Sequence, residues 1–180
     1  FIMQEITKNI DGYRLSSYFY KDKDSNDGRL VAGPIWDFNL GFGNANYDEG
    51  WDTQGWMIDL TEHIWAEYDW YVPFWWCLIW ADERFQSSVR KRWQELRKST
   101  LSDNFVNTVI DSLHDHIGVA ADRNFERWPI LGEYVWPNYF IGETYEEEVE
   151  YLRDWIMTRM EWMDNELLAT HGNTILIPEL

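Results

Sequence analysis

The stretch that decides the fold is Gly33-Pro34-Ile35-Trp36-Asp37-Phe38-Asn39-Leu40-Gly41-Phe42-Gly43-Asn44. Ile35 and Trp36 are apolar and predict the end of a short buried strand, after which Asp37 places a carboxylate at the mouth of that strand. The strand would hold the carboxylate still beside a glycine-rich loop, so the carboxylate could point into a cleft. The competing interpretation is that Asp37 and Asn39 only bind turn amides, as short polar residues commonly do.

Composition limits the size and the partners of the chain. Its 180 residues predict a single domain over 1–180, and 13 Trp, 10 Tyr and 9 Phe predict a core built from aromatic rings. The net charge of −17 argues against nucleic acid and anionic membranes as partners, because both need Lys and Arg to offset phosphates. A phosphate-bearing ligand would therefore need a metal ion or a local basic patch.

Three smaller features concern the context of the chain. No apolar run reaches the roughly 18 residues that span a bilayer, so no membrane span is expected. Cys77 is the one cysteine, and its place in the apolar run 74–80 predicts a buried structural thiol. Phe1 to Ile6 has the pattern of a helix already under way at its first residue. We therefore expect the chain to be a piece of a longer protein.

The first part of the chain predicts a helix, a loop and a hairpin. Apolar residues at helical spacing predict a short helix over 1–8, and the break at 9–12 places Asp11 in the loop that follows, with Gly12 as a turn residue. Ring-rich residues 13–20 predict a strand, polar residues 21–28 a turn, and residues 29–36 the returning strand. This order brings Asp11 and Asp37 to one end of a two-stranded ribbon.

The middle of the chain predicts a loop followed by the centre of the core. Residues 44–61 form a long polar and aromatic loop, and loops of this length are uncommon unless they are functional. The run 62–81 is nearly all aromatic and aliphatic, so we expect it to be the buried centre. Asp82 then predicts the N-cap of a helix over 83–98.

The remaining residues predict further helices. Ser102 or Asp103 is expected to cap a helix that continues to Arg127 and stops before Pro129. After an irregular segment, Thr144 and Glu147 fit a capping box that opens the last helix. The predicted fold class is therefore α+β and dominated by helices, with a small β-hairpin (within 1–44) beside a helical body (62–169).

Asp11 and Asp37 are the candidate pair for chemistry. An acid after a helix, then a hairpin, then an acid followed by Phe is the order in which protein kinases place a catalytic acid and a metal-holding acid. The order of the elements therefore points to phosphoryl transfer more strongly than the Asp-Phe dipeptide does alone.

Several stretches carry a resemblance to a known family. They are Lys8-Asn9-Ile10-Asp11-Gly12-Tyr13-Arg14-Leu15-Ser16, Tyr18-Phe19-Tyr20-Lys21-Asp22, Gly33 to Leu40, and the Trp-Pro-Ile-Leu-Gly and Val-Trp-Pro-Asn runs between Arg127 and Asn138. Together they resemble the spore-coat CotH kinase family over most of the chain, at the level of its C-terminal part. That family has an atypical protein-kinase-like fold and transfers phosphate from ATP to Ser or Thr of secreted or spore-coat proteins.

The resemblance implies roles for particular residues. It implies that Asp11 is the catalytic-loop acid and that Asp37 holds Mg²⁺ against ATP, so Mg²⁺ and ATP are the expected cofactors. Asn39 stands where many members have a second Asp, and an amide oxygen can coordinate Mg²⁺ without bringing charge. Arg14 and Lys21 are the nearest cations in the sequence and the candidates for contacting the nucleotide.

The resemblance also implies a setting. The fold would be the C-terminal lobe of a protein-kinase-like domain, and the glycine-rich loop and ATP-holding lysine would lie before Phe1. The expected partner is a protein with Ser or Thr, in the envelope or the secreted fraction of a bacterium. The isolated chain is then expected to be inactive.

The alternative is a catalytically silent module that holds glycan or polypeptide on loop tryptophans, for which Trp51, Trp56 and Trp136 are the candidates. Asn39 favours this alternative, and the intact Asp11 and Asp37 favour the kinase. The other polar groups have plainer explanations. The four histidines are scattered, residues 48–52 fit a solvated acidic loop, and the acids of 146–150 favour a helix dipole.

Overall fold

A computed structural model of the chain describes residues 1–60 and 72–168. Its helices are α1 (Ile2–Thr7), α2 (Phe74–Trp80), α3 (Glu83–Arg97), α4 (Asp103–Ile117), α5 (Ala120–Arg127) and α6 (Tyr145–Leu168). Strands β1 (Phe19–Lys21) and β2 (Leu30–Ala32) pair antiparallel, and short 3₁₀ turns lie at Asp24–Asn26 and Met57–Asp59. The predicted α+β class with helices dominant is confirmed. No helix of the described residues is long and apolar enough to cross a membrane.

The core is organised around α6, which packs against α1, α3 and α4. One cluster of buried side chains surrounds Trp93, Trp155 and Met160, all at most 4% exposed. A second cluster joins Tyr13 and Trp76 with residues of the 45–60 loop. Partly buried rings, among them Phe1, Trp56 and Trp80, pack against both clusters. The abundance of aromatic residues is therefore explained mainly by the core.

The predicted helix starts are confirmed by hydrogen bonds. The Asp82 carboxylate accepts from Arg84 N at 2.8 Å, and Ser102 Oγ accepts from Phe105 N at 3.3 Å. Thr144 Oγ1 accepts from Glu147 N at 3.2 Å, but the Glu147 carboxylate accepts from Glu143 N rather than from Thr144 N. The last motif is thus a capping box whose return bond is displaced by one residue.

The predicted helix over 103–127 is wrong in its length. It ends at Ile117, because Gly118 adopts a positive φ of 46° that takes the chain out of the helix, and α5 starts separately at Ala120. Glycine reaches this conformation without steric cost, so the break is encoded locally. The sequence pattern missed it because apolar residues continue at helical spacing on both sides.

The predicted strands are too long at both ends. Residues 13–16 form turns, because Arg14 N and Ser16 N both donate to the Asp11 carbonyl, at 3.2 and 2.9 Å. The returning strand stops at Ala32, since Pro34 has no N–H to continue the ladder. Ile35 and Trp36, predicted as buried, are 70% and 44% exposed.

Residues 62–81 were predicted to be the buried centre of the core. Residues 62–71 lie outside the described residues, and for residues 72–81 the prediction is only partly right. Val72 and Trp76 are buried, whereas Phe74 and Leu78 are 73% and 62% exposed. Cys77, predicted as a buried thiol, is exposed as well. Helix α2 is apolar on every side, and such a sequence does not identify which face meets the core.

A buried charged network that the sequence did not reveal holds the loop over 49–58. The Arg159 guanidinium donates to the carbonyls of Glu5, Thr53 and Gly55 at 2.7–3.0 Å. The Glu5 carboxylate accepts from Met57 N and Ile58 N, at 2.8 and 3.0 Å, and from Tyr13 Oη, at 2.6 Å.

Lys8 adds a second cation to this network. Its Nζ donates to the Glu49 and Gln54 carbonyls at 3.0 and 2.7 Å, and the residue is 2% exposed. Burial lowers the pKa of Lys8 to about 8 and that of Arg159 to about 10, and it raises the pKa of the Glu5 carboxyl. Three buried ionisable side chains thus fix the backbone of a loop that lies beside the candidate site.

Candidate active site

The site starts where α1 ends. Lys8 adopts a left-handed conformation, with φ of 45°, and turns the chain so that Asn9 is fully buried. Asp11 follows with its side chain 20% exposed. Gly12, predicted as a turn residue, lies in the turn closed by hydrogen bonds to the Asp11 carbonyl, four residues beyond Lys8, where α1 ends. The turn thereby holds Asp11 at the surface.

Asp37 is held against this turn by two buried side chains. Asn9 Nδ2 donates to the Asp37 carbonyl at 3.0 Å, while Asn9 Oδ1 accepts from Asp11 N at 3.3 Å. Ser16 Oγ donates to Asp37 Oδ2 at 2.7 Å. Asp37 itself is exposed and has a φ of 65°. Asn9 and Ser16 therefore connect the two acid-bearing segments directly.

Electrostatics also link the acids. Burial raises the pKa of the Asp11 carboxyl; the Arg14 guanidinium opposes this shift, and the charges of Asp37 and Asp48 reinforce it. Arg14 Nη2 lies 3.8 Å from Asp11 Oδ1. Burial raises the pKa of Tyr47 too, with the Asp11 and Asp48 charges adding to the shift. Anions thus converge here, and such a site attracts a cation.

The loop after Asp37 is fixed to the core. Phe42 N donates to the Thr7 carbonyl at 2.6 Å, which satisfies one of the free carbonyls at the end of α1. Gly43 has a φ of 81°, and a Cβ at this position would overlap the indole of Trp155. The glycine-rich loop predicted after Asp37 is therefore packed tightly against α6 at Gly43.

The remaining predicted site residues lie in different places. Asn39 is exposed, and its carbonyl accepts from Asn44 Nδ2 at 2.8 Å. Arg14 belongs to the acid cluster. Lys21 pairs with Asp24 at 2.7 Å in the hairpin turn, at the opposite end of the ribbon from Asp37. The structure thus brings Asp11, Arg14 and Asp37 together, and it keeps Lys21 apart from them.

A comparison with protein families identifies the family of the chain. The model of the family described as CotH kinase protein matches residues 1–163. The chain belongs to the CotH kinase protein family. Comparison with curated proteins and with solved structures found no match. The resemblance inferred from the sequence is confirmed, and membership of the CotH family supports a kinase-like function with nucleotide and metal use in general.

The acids of this CotH chain fit a magnesium ion only as a partial ligand set. Among residues 1–60 and 72–168, no group of three or more His, Cys, Asp or Glu side chains is arranged to hold a metal ion. Mg²⁺, however, commonly binds through one or two carboxylates, with substrate phosphates and water completing its shell. Exposed Asp37 and partly exposed Asp11 meet that smaller requirement. Of the histidines, His63 and His171 lie outside the described residues.

A groove of about 610 Å³ lies between the loop over 51–53, the segment over 139–140 and α6 of the CotH chain. Its aromatic walls include Trp51 stacked on Tyr139, with ring centroids 5.2 Å apart. Four carboxylates also line it: Asp52, Glu147, Glu150 and Asp154. Trp136, 69% exposed, stacks on Tyr47 at 6.0 Å.

The three loop tryptophans predicted as platforms therefore have different environments. Trp136 is the most exposed of them, and Trp51 lines the groove. Trp56 packs in the core instead, against Trp80 and Trp162, with ring centroids 5.6 and 4.8 Å away, so it is not a platform.

Sequence reasoning missed Asn9 and Ser16. Both lie within the stretch that carried the family resemblance, two residues before and five residues after Asp11. Neither stands out by residue type, because Asn and Ser are common in turns. The available signal for Asn9 was its place among the apolar positions Ile6, Ile10 and Tyr13, which are buried. An amide buried among them needs hydrogen-bond partners.

Proposed function

We propose that this CotH-family chain supplies the catalytic acid and the metal-holding acid of a protein kinase that uses Mg²⁺ and ATP. The observation that carries the proposal is that Asn9 and Ser16 tie Asp11 and Asp37 into one solvent-reachable group of acids. Phosphoryl transfer depends almost wholly on positioning and on neutralising charge, and a fixed pair of carboxylates beside a cation site serves both needs.

Asp11 is proposed to orient the attacking hydroxyl of a Ser or Thr substrate and to accept its proton. Burial raises the pKa of Asp11, which makes its carboxylate a stronger base. The Arg14 guanidinium, 3.8 Å from the carboxylate, opposes that shift. Arg14, unlike Lys21, lies in the cluster, so it is the cation we propose for contact with the nucleotide.

Asp37, with Asn39 as a second candidate, is proposed to hold Mg²⁺, and this ion would neutralise the phosphates of ATP. A metal is needed here because the chain has a net charge of −17 and offers few cations to the phosphates. The proposed partner is a secreted or envelope protein of a bacterium, in keeping with the family's association with spore coats.

The test is phosphate transfer from radiolabelled ATP, assayed on the full-length natural protein and on residues 1–180. We expect transfer by the full-length protein and none by residues 1–180 alone, where ATP would meet a site open to water. Asp37→Ala should lower transfer by about 10²–10³-fold, on the scale of losing one preorganised group that stabilises transition-state charge. Asp27→Ala, in the exposed hairpin turn, is the matched control. An inactive full-length protein, or an active Asp37→Ala variant, would refute the proposal.

A second candidate function is a module that binds glycan or polypeptide. The observations that favour it are the aromatic and acidic groove lined by Trp51 and the exposed ring of Trp136. Flat rings stack on apolar sugar faces and on side chains, and carboxylates accept hydrogen bonds from hydroxyls. The discriminating measurement is tryptophan fluorescence during titration with glycans and polypeptides. Binding lost in Trp136→Ala and kept in Asp37→Ala would favour the module over the kinase.

A further inference from the structure

Ser16 makes two contacts that join the acid-bearing segments. It is 4% exposed, its backbone N donates to the Asp11 carbonyl at 2.9 Å, and its Oγ donates to Asp37 Oδ2 at 2.7 Å. The backbone contact closes the turn and is independent of the side chain. The hydroxyl therefore has one partner in the described structure, the carboxylate proposed to hold the metal.

The Asp37 carboxylate is thereby made asymmetric. Oδ2 is occupied by the Ser16 hydroxyl, while Oδ1 accepts no hydrogen bond from any residue in the described part of the chain. Asn9 fixes the same residue from its other side, through the Asp37 carbonyl. With the backbone and one carboxylate oxygen both held, the side chain presents Oδ1 to solvent.

We propose that Ser16 is a positioning residue that makes Asp37 a one-oxygen metal ligand and so favours Mg²⁺ over Ca²⁺. This inference rests on the proposed function. Mg²⁺ demands near-ideal octahedral geometry at 2.0–2.1 Å and suits single carboxylate oxygens, whereas Ca²⁺ accepts bidentate carboxylates at 2.3–2.6 Å. A hydrogen bond that occupies Oδ2 weakens that oxygen as a ligand and disfavours the bidentate mode.

Removal of the hydroxyl should therefore change metal preference rather than fold. In Ser16→Ala the turn keeps its backbone hydrogen bond, but the Asp37 carboxylate can rotate and chelate with both oxygens. Residues that orient a metal ligand from outside the coordination shell are commonly worth 10–100-fold in metal affinity. We expect Mg²⁺ affinity to fall by about that factor, and Ca²⁺ affinity to change by less than about threefold or to rise.

The experiment measures competition of Mg²⁺ and Ca²⁺ against bound Mn²⁺ by electron paramagnetic resonance. It uses the full-length natural protein with a non-hydrolysable ATP analogue. Ser17→Ala is the matched control, because Ser17 lies next to Ser16 and, among the described residues, its Oγ donates a hydrogen bond to the Arg14 carbonyl alone, at 3.5 Å. Ser16→Thr keeps a hydroxyl and should restore most of the Mg²⁺ preference. The binding readout does not depend on catalytic activity.

Each outcome decides something. Equal weakening of Mg²⁺ and Ca²⁺ in Ser16→Ala, or no change in either affinity, would overturn the inference. Loss of preference in Ser17→Ala would overturn it too, because the effect would then be structural. The proposed metal site is tested separately: metal binding that survives Asp37→Ala would refute that site, a result distinct from an unaffected Ser16→Ala variant.

Discussion

Two groups of charged residues in this molecule differ in burial, in hydrogen-bond partners and in net charge. Glu5, Lys8 and Arg159 are at most 2% exposed, and all three make hydrogen bonds to backbone groups. Asp11 is partly exposed and Asp37 is exposed, and with Asp48 they place three anions beside the Arg14 guanidinium. The first group carries two cations for one anion, and the second carries an excess of anions.

The difference in burial and charge assigns a structural role to the buried group and a functional role to the acid cluster. A buried charge is tolerated when hydrogen bonds and an opposite charge replace the water it has lost, as they do for Glu5 and Arg159. Carboxylates that repel one another at a surface gain nothing for folding, and uncompensated acids are typical of sites that bind a cation. The buried network therefore holds the loop, and the exposed acids remain available for a ligand.

The largest expected effect comes from breaking the buried network. Arg159→Met removes the donors to three carbonyls and leaves the Glu5 carboxylate without its nearby cation, 3.5 Å away. We expect a loss of about 3–5 kcal/mol in the free energy of unfolding, the range for breaking one partner of a buried pair. Urea unfolding followed by tryptophan fluorescence measures it.

The control for this prediction is an arginine in an exposed ion pair. Arg92→Met removes an interaction with Glu95 at 3.2 Å in which both side chains are more than half exposed. Such pairs contribute about 0–1 kcal/mol, so this variant should unfold nearly like the parent. A similar loss in both variants would remove the distinction between the two groups of charges.

The next expected effect comes from Trp76, whose ring packs against Tyr13 of the buried network. Trp76 is 8% exposed and lies edge-on to Tyr13, with ring centroids 5.1 Å apart, and Tyr13 donates to Glu5. Trp76→Ala should lower the free energy of unfolding by about 3–5 kcal/mol, the usual cost of deleting a buried aromatic. Thermal unfolding measures the change.

Phe74 in the same helix offers a matched control for Trp76, because it is 73% exposed. Phe74→Ala should change the free energy of unfolding by about 0.5 kcal/mol or less, as surface substitutions usually do. An unchanged melting temperature in Trp76→Ala would contradict the prediction and would show that the packing of α2 on Tyr13 contributes little to stability.

The sequence allowed prediction of those features that local signals specify. Asp82, and Ser102 or Asp103, are predicted as helix caps because a side-chain oxygen before an apolar stripe is a local motif, and the structure has Asp82 and Ser102 in these places. The order of helix, acid, hairpin and acid was readable for the same reason. The strand lengths and the break at Gly118 were not predicted. The first strand is shortened by the turn over residues 13–16, and Pro34 and Gly118 end elements whose neighbouring residues fit a longer strand or helix.

What could not be predicted depends on contacts between distant parts of the chain. Arg159 and Glu5 lie 154 positions apart, and nothing in a helix written Met-Thr-Arg-Met marks its arginine as buried. Likewise, the apolar surround of Cys77 favoured burial, but α2 packs through Trp76 and leaves the thiol outside. Asp11 and Asp37 could be named from the sequence, whereas Ser16 and Asn9 needed the folded geometry.

The smallest expected effect tests the acid cluster itself. Asp11→Asn removes a partly buried carboxylate while preserving shape. The cost of burying its charge disappears, together with repulsion from Asp37 and Asp48, so the chain should be slightly more stable at neutral pH, by less than about 1 kcal/mol. The sign depends on pH. Because the pKa of Asp11 is raised in the folded protein, its favourable contribution is complete below the ordinary Asp value of about 3.9 and is lost as pH rises through the folded pKa.

The gain in Asp11→Asn should therefore be present at pH 7 and absent near pH 3.5, as measured by urea unfolding at both values. Asp27→Asn, in the exposed hairpin turn, serves as the control and should change stability by about 0.5 kcal/mol or less at either pH. In the full-length protein the same Asp11→Asn change should abolish phosphate transfer, since an amide cannot accept the proton. A destabilised variant at pH 7 would mean that the Asp11 carboxylate stabilises the fold, as that of Glu5 does. The two groups of charges would then not differ in role.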